Sequence, residues 1–152
     1  MDRGKIKKQL YEACRTYVQT KIKTAKDAIS MAQSSANEDS KSSMGDKYET
    51  GRAMAQLEIE KNTVQMHEFA RMGQELERIS IEKNGEQAQK GSLIYTSHGT
   101  YFLALGAGQI ALDGDIYFAV SVLSPIGSIL LGTKEGDEIQ FNGKQMKILE
   151  LA

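Results

Sequence analysis

An α+β fold is predicted from this sequence: a long N-terminal antiparallel α-helical coiled-coil hairpin, then a small antiparallel β-sheet with one short helix. Three observations predict it. Ten of the fourteen glycines stand at or after Gly85. Before that point apolar residues recur at steps of three and four, the period of one helix face. After it come β-branched and aromatic runs separated by Gly, Asp-Gly and Asn-Gly, the punctuation of strands and hairpin turns.

The first helix is read from Leu10, Cys14, Val18, Ile22, Ala25, Ile29, Ala32 and Ala36, which fall on one face. The second is read from Ala55, Ile59, Asn62, Met66, Phe69, Met72, Leu76 and Ile79. The surrounding Lys, Glu, Gln, Ala and Met are good helix formers. Between the stripes lies Ser34 to Gly45, rich in Ser, Asn and Asp, which reads as one polar turn. Two striped helices of about 30 residues joined there make a hairpin roughly 45 Å long. A domain of about 65 residues is too small to cover it, so most of it should project into solvent. Alanines at 32 and 36 let the helices approach closely, which suits a slender tip near residues 37–47. The hairpin domain is expected over residues 1–84. Asn84-Gly85 is a helix-stop signal, and a second domain is expected over residues 91–152.

In that second domain Ser92–Ser97, Thr100–Leu105, Ile116–Leu123, Glu138–Phe141 and Gln145–Leu151 read as strands. Asp113-Gly114 and Asn142-Gly143 are hairpin turns. Ser124-Pro125 opens a short helix over Ile126–Leu131, with Ser as N-cap and Pro in the first turn, and Gly132 ends it. Gly106-Ala107-Gly108 falls between strands and has no helix after it, so it is not a phosphate loop.

Composition narrows the function. Net charge is −1, which argues against a generic polyanion binder. The sum hides a gradient: residues 1–37 carry eight Lys/Arg against three Asp/Glu, and Glu38, Asp39, Asp46 and Glu49 then cluster. No apolar run is long enough to span a membrane, and the charged start from Met1 to Lys8 leads into no signal core. The single cysteine, Cys14, fits a reducing compartment. A cytoplasmic, monomeric protein is the expectation, because the stripe breaks at one turn and so pairs within the chain. Cys14 falls on the apolar stripe as a small core residue. His67 and His98 are isolated, so neither a zinc site nor a Ser-His-Asp set is expected.

The segment Leu123-Ser124-Pro125-Ile126-Gly127-Ser128-Ile129-Leu130-Leu131-Gly132, followed by Lys134-Glu135-Gly136-Asp137-Glu138-Ile139, resembles the C-terminal signature of the Gre transcript-cleavage and transcription elongation factors. Residues 91–151 follow that pattern in order and spacing. Glu38-Asp39-Ser40-Lys41 and Asp46-Lys47-Tyr48-Glu49 resemble the acidic tip and the acidic-Tyr start of the second Gre helix. The family tip carries two acidic residues three apart; here Asp39 stands at the first place and Ser42 at the second, with extra residues before Asp46.

The resemblance implies an FKBP-like C-terminal domain and a partner, bacterial RNA polymerase. The globular domain would dock at the rim of the secondary channel, with Ser124 and Pro125 in the contact. The hairpin would enter the channel and meet the transcript RNA. Asp39 and Asp46, with Glu38 and Glu49 as further candidates, would help hold a Mg²⁺ ion shared with the polymerase. The chain would then have no reaction of its own and would stimulate the polymerase's cleavage of backtracked RNA.

Each candidate also has a plainer reading. Mg²⁺ takes carboxylate oxygens and keeps several waters, so one or two protein ligands suffice. Yet Asp46 before a helix start also favours that helix's dipole. Lys41 and Arg52, with Lys21, Lys23, Lys26 and Lys47, form either a track for RNA phosphates or an ordinary solvated face. Ser124 caps a helix in any case. Two other functions compete: a prolyl isomerase or chaperone, which needs a cavity lined by aromatics such as Tyr95, Tyr101, Phe102, Tyr117, Phe118 and Phe141; and a non-catalytic coiled-coil interaction protein.

Overall fold

A computed structural model describes residues 2–39, 45–82 and 85–152, with the backbone alone described at 38, 39 and 45–48. Two long helices come first, α1 (Arg3–Asp39) and α2 (Gly45–Glu77), packed together as a hairpin. They have 37 and 33 residues, longer than the stripes implied, and so measure about 55 and 50 Å. Six strands and one short helix follow: β1 (Leu93–Thr96), β2 (Gly99–Leu103), β3 (Gly108–Leu112), β4 (Asp115–Val120), α3 (Pro125–Leu130), β5 (Glu138–Phe141) and β6 (Lys144–Leu151). The chain divides into two compact units, Val18–Gln74 and Met1–Tyr17 with Glu75–Ala152.

In the helical unit the expected stripe is the buried one. Val18, Ala25 and Ala32 of α1 and Ala55 and Asn62 of α2 are buried. Gly73 lies so close to α1 that a Cβ there would stand 3.2 Å from Val18 Cγ1. Small residues thus set the helix spacing along this seam. Asn62 is the polar exception. It keeps its amide satisfied within α2, donating from Nδ2 to the Glu58 carbonyl (2.8 Å) and to Glu58 Oε1 (3.0 Å).

In the other unit the strand order is β3-β4-β2-β1-β6-β5. The two predicted hairpin turns form as expected. Asp113 and Gly114 have φ of 49° and 85°, and Asn142 and Gly143 of 52° and 75°. Both central residues are left-handed, the conformation for which Asp-Gly and Asn-Gly are suited. The expectation of an antiparallel sheet needs correction. β2 and β4 run parallel, pairing Tyr101 with Phe118 and Leu103 with Val120, so the sheet is mixed. The cause is β3, a strand not read from the sequence. It hairpins with β4 and returns the chain beside β2 in β2's own direction. Gly108, Gln109 and Ala111 are poor strand formers, and only Ile110 and Leu112 carry a period-two signal.

One face of the sheet holds a core of Ile94, Leu103, Met146, Ile148 and Leu151 with Ile126 and Leu130 of α3. Ile148 and Leu151 are three apart, a spacing that ordinarily sends side chains to opposite faces. A register break between Tyr95 and Thr96 leaves Leu149 without a partner and brings both back to the core. The same break turns Glu150 toward Tyr95. There Arg3 of α1 closes the face: its Nε donates to Glu150 Oε2 at 2.7 Å, and its guanidinium lies 4.2 Å from the Tyr95 ring centroid. Ile6, Leu10 and Cys14 of α1 and Leu76 of α2 are buried in this unit, and Tyr11 donates its hydroxyl to the Leu76 carbonyl (3.1 Å).

Candidate functional site

Two places collect the residues singled out by sequence. The first is the joint of the hairpin. Asp39 is the last residue of α1, and Asp46 lies in the first turn of α2. Backbone placement therefore brings both to the same helix ends. The side chains of Glu38, Asp39 and Asp46, and all of Lys41 and Ser42, lie outside the described residues. Glu49 is exposed. Arg52 is exposed and lines a cavity of about 590 Å³ with Gln33, Asn37 and Gln56. Ala36 and Ile59 complete its described lining, which includes no carboxylate. Among the described residues no group of three His, Cys, Asp or Glu could hold a metal ion.

The basic track is less continuous than its sequence suggests. At about 100° per residue, Lys23 and Lys26 lie near one another and Lys21 falls on the opposite side of α1. Lys23 is also paired with Asp27 at 2.9 Å.

The second place is the start of α3, and its geometry is specific. Ser124 has φ −72° and ψ 158° and accepts from Gly127 N through its hydroxyl at 3.1 Å. The same hydroxyl donates to the Ser121 carbonyl at 2.6 Å. Ser121 Oγ in turn accepts from Leu123 N at 3.1 Å. Pro125 occupies the first turn, where its missing N–H leaves no helical hydrogen bond unmade. Gly127 makes this fold-back possible. A Cβ there would stand 1.8 Å from the Ser121 carbonyl oxygen, so no other residue fits. At the far end Gly132, with φ 85°, donates to the Ala88 carbonyl (2.8 Å), and Ala88 donates to the Thr133 carbonyl (2.8 Å).

The result is a rigid exposed ridge. Leu123 is 90% exposed, the most open large apolar side chain among those described, and Pro125 and Ser128 are exposed beside it. Ile129 and Leu131 add further exposed apolar surface. Next to Leu123 is a hollow of about 390 Å³ bordered by Val122, Ser121, Arg78 and Lys90. Sequence reasoning missed Leu123, Arg78 and Lys90. A leucine ending a strand-like run reads as core, and residues 78 and 90 are twelve apart in the chain.

Phe102 and Tyr117 are buried in the sheet unit, and Tyr101 and Phe118 face each other at 5.7 Å between ring centroids. Burial raises the Tyr101 hydroxyl above its usual pKa. The hollows beside Arg3, Glu86 and Leu123 have no aromatic lining. Cys14 is buried, and burial pushes its thiol up to about 12, which removes it as a nucleophile. No described helix is long and apolar enough to cross a membrane. Comparison with protein-family models, with curated proteins and with solved structures gives no match.

Proposed function

We propose that this chain is a transcription elongation factor of the Gre type that binds bacterial RNA polymerase, with an FKBP-like C-terminal domain. The ridge at Leu123-Ser124-Pro125 docks on the rim of the secondary channel, and the hairpin is the element that enters it. Asp39 and Asp46 then offer carboxylate oxygens to the Mg²⁺ that the polymerase holds, an ion whose role is to activate water toward the RNA phosphate. The chain's own contribution is to deliver and orient those carboxylates within the polymerase.

The observation that carries this reading is the ridge. A leucine that is 90% exposed, held by a doubly bonded Ser124 cap and a glycine that cannot be replaced, is a built surface with nothing of its own to cover. Rigid apolar anchors flanked by polar residues are what protein interfaces use. It lies within the segment that resembles the Gre signature, in a chain whose other part is a helical hairpin with carboxylates at its joint.

The test is a backtracked elongation complex assembled with the matching polymerase. Shortening of the RNA that is lost in Asp39→Ala and Asp46→Ala supports the full reading. Binding without shortening leaves a channel-occupying regulator. Absence of binding removes the proposal.

A further inference from the structure

The sheet has two edges, and they are guarded differently. At one edge β5 carries Glu138, whose Oε2 accepts from Gln145 Nε2 at 2.8 Å. At the other edge β3 carries no charged residue, and neither charge nor proline occurs anywhere from Leu103 to Leu112. Edge strands are usually blunted by charge, proline or a bulge. Here β3 pairs with β4 in unbroken register over all five residues. The Asp113-Gly114 loop makes Leu112 and Asp115 a hydrogen-bonded pair, and bonded and unbonded pairs alternate from there. Leu112, Ile110 and Gly108 therefore turn their N–H and C=O groups to β4. Those of Gln109 and Ala111 turn outward. Both residues are exposed, and among the described residues no other hydrogen bond reaches them.

We propose that β3 is an association edge on which a second copy of this chain adds its own β3, antiparallel about a two-fold axis at Ile110. Gln109 then stands opposite Ala111 of the second copy, and Ala111 opposite its Gln109. These are two hydrogen-bonded pairs with four N–H···O bonds. Ile110 meets Ile110 at the closer, unbonded spacing, an apolar cross-strand contact. Asp113 falls opposite Ala107, so no like charges face each other. The same operation at β5 brings two Glu138 carboxylates onto facing strands. Peptide recognition by strand addition takes its specificity from side-chain pockets, and Gly108 and Ala111 provide none, which favours self-pairing. Five residues span about 17 Å, well short of a standard interface. Pairing is therefore weak, and is expected at high protein concentration. This inference stands apart from the polymerase reading.

Sedimentation equilibrium of the full chain from about 5 µM to 1 mM tests it. The weight-average mass is expected to rise from 16.8 kDa toward twice that value. Ala111→Lys and Gln109→Lys should each stay at the monomer mass, while Gln140→Lys on β5 should follow the unmodified protein. Amide exchange at Gln109 and Ala111 should slow as concentration rises, a reading that needs no variant. A constant 16.8 kDa with those amides unprotected at 1 mM overturns the proposal. So does association that survives both β3 lysines, or that disappears equally in Gln140→Lys.

Discussion

The Ser121 carbonyl oxygen lies 1.8 Å from where a Cβ on Gly127 would sit, while accepting a 2.6 Å hydrogen bond from the Ser124 hydroxyl. The loop before α3 and the helix's first turn are therefore one interlocked piece. Gly127→Ala must push them apart. A loss of about 2 kcal/mol or more is expected from such overpacking against backbone, read as a lower urea midpoint. Ser124→Ala removes the cap bond and the bond to the Ser121 carbonyl but forces nothing apart, and should cost about 1 kcal/mol. The reverse ranking would contradict the interlocked geometry.

Leu123 makes a sharper test of function, because its side chain contributes almost nothing to the core. Leu123→Glu should leave thermal unfolding within about 0.5 kcal/mol of the parent. Affinity for RNA polymerase in a pull-down or titration should fall at least tenfold, the size expected for an anchor residue. An unchanged affinity would exclude the ridge as the docking surface.

Asn62 occupies a seam position that an apolar residue could fill. Among the described residues its amide bonds to Glu58 within its own helix and to no group across the seam. Asn62→Leu is expected to stabilise the hairpin by about 1 kcal/mol, at a cost to register specificity. Denaturant unfolding gives the first quantity, and cross-linking of engineered cysteines along the seam gives the second. Destabilisation would mean that the amide contributes more than its local bonds.

Cys14 supplies a pH dependence with a definite sign. Its thiol is pushed from 9.0 to about 12 by burial, so between those values the unfolded chain loses a proton that the folded chain keeps. Stability from this group is complete below pH 9 and is lost as pH rises toward 12. Cys14→Val should flatten that decline, measured as the difference in urea midpoint between pH 8 and pH 10.5. Thiol reagents should label Cys14 only through opened states, at a rate that rises with reagent concentration until it levels off at the rate of opening.

The joint of the hairpin is probed by cleavage. Asp39→Ala and Asp46→Ala should each lower the rate of RNA shortening in a backtracked complex by tenfold or more, with binding unchanged. Rates unchanged from the parent in both variants would leave the two carboxylates as helix-end charges and nothing more.

Much of this architecture was legible in residue order. The spacing of Leu10, Cys14, Val18, Ala25 and Ala32 foretold the buried stripe of α1, because helix periodicity is local and survives in any context. Asp113-Gly114, Asn142-Gly143 and Ser124-Pro125 foretold their turns and cap, because left-handed φ and a fixed proline φ are properties of single residues. Long-range pairing was not legible. β3 is made of weak strand formers and exists because β4 lies beside it, and its presence makes β4 parallel to β2. The register break at Leu149, the meeting of Arg3 with Glu150 and Tyr95, and the opening of Leu123 to solvent likewise depend on residues far apart in the chain. Periodicity and turn chemistry act within a few residues, whereas sheet order and exposure are settled only when distant segments compete for the same surface.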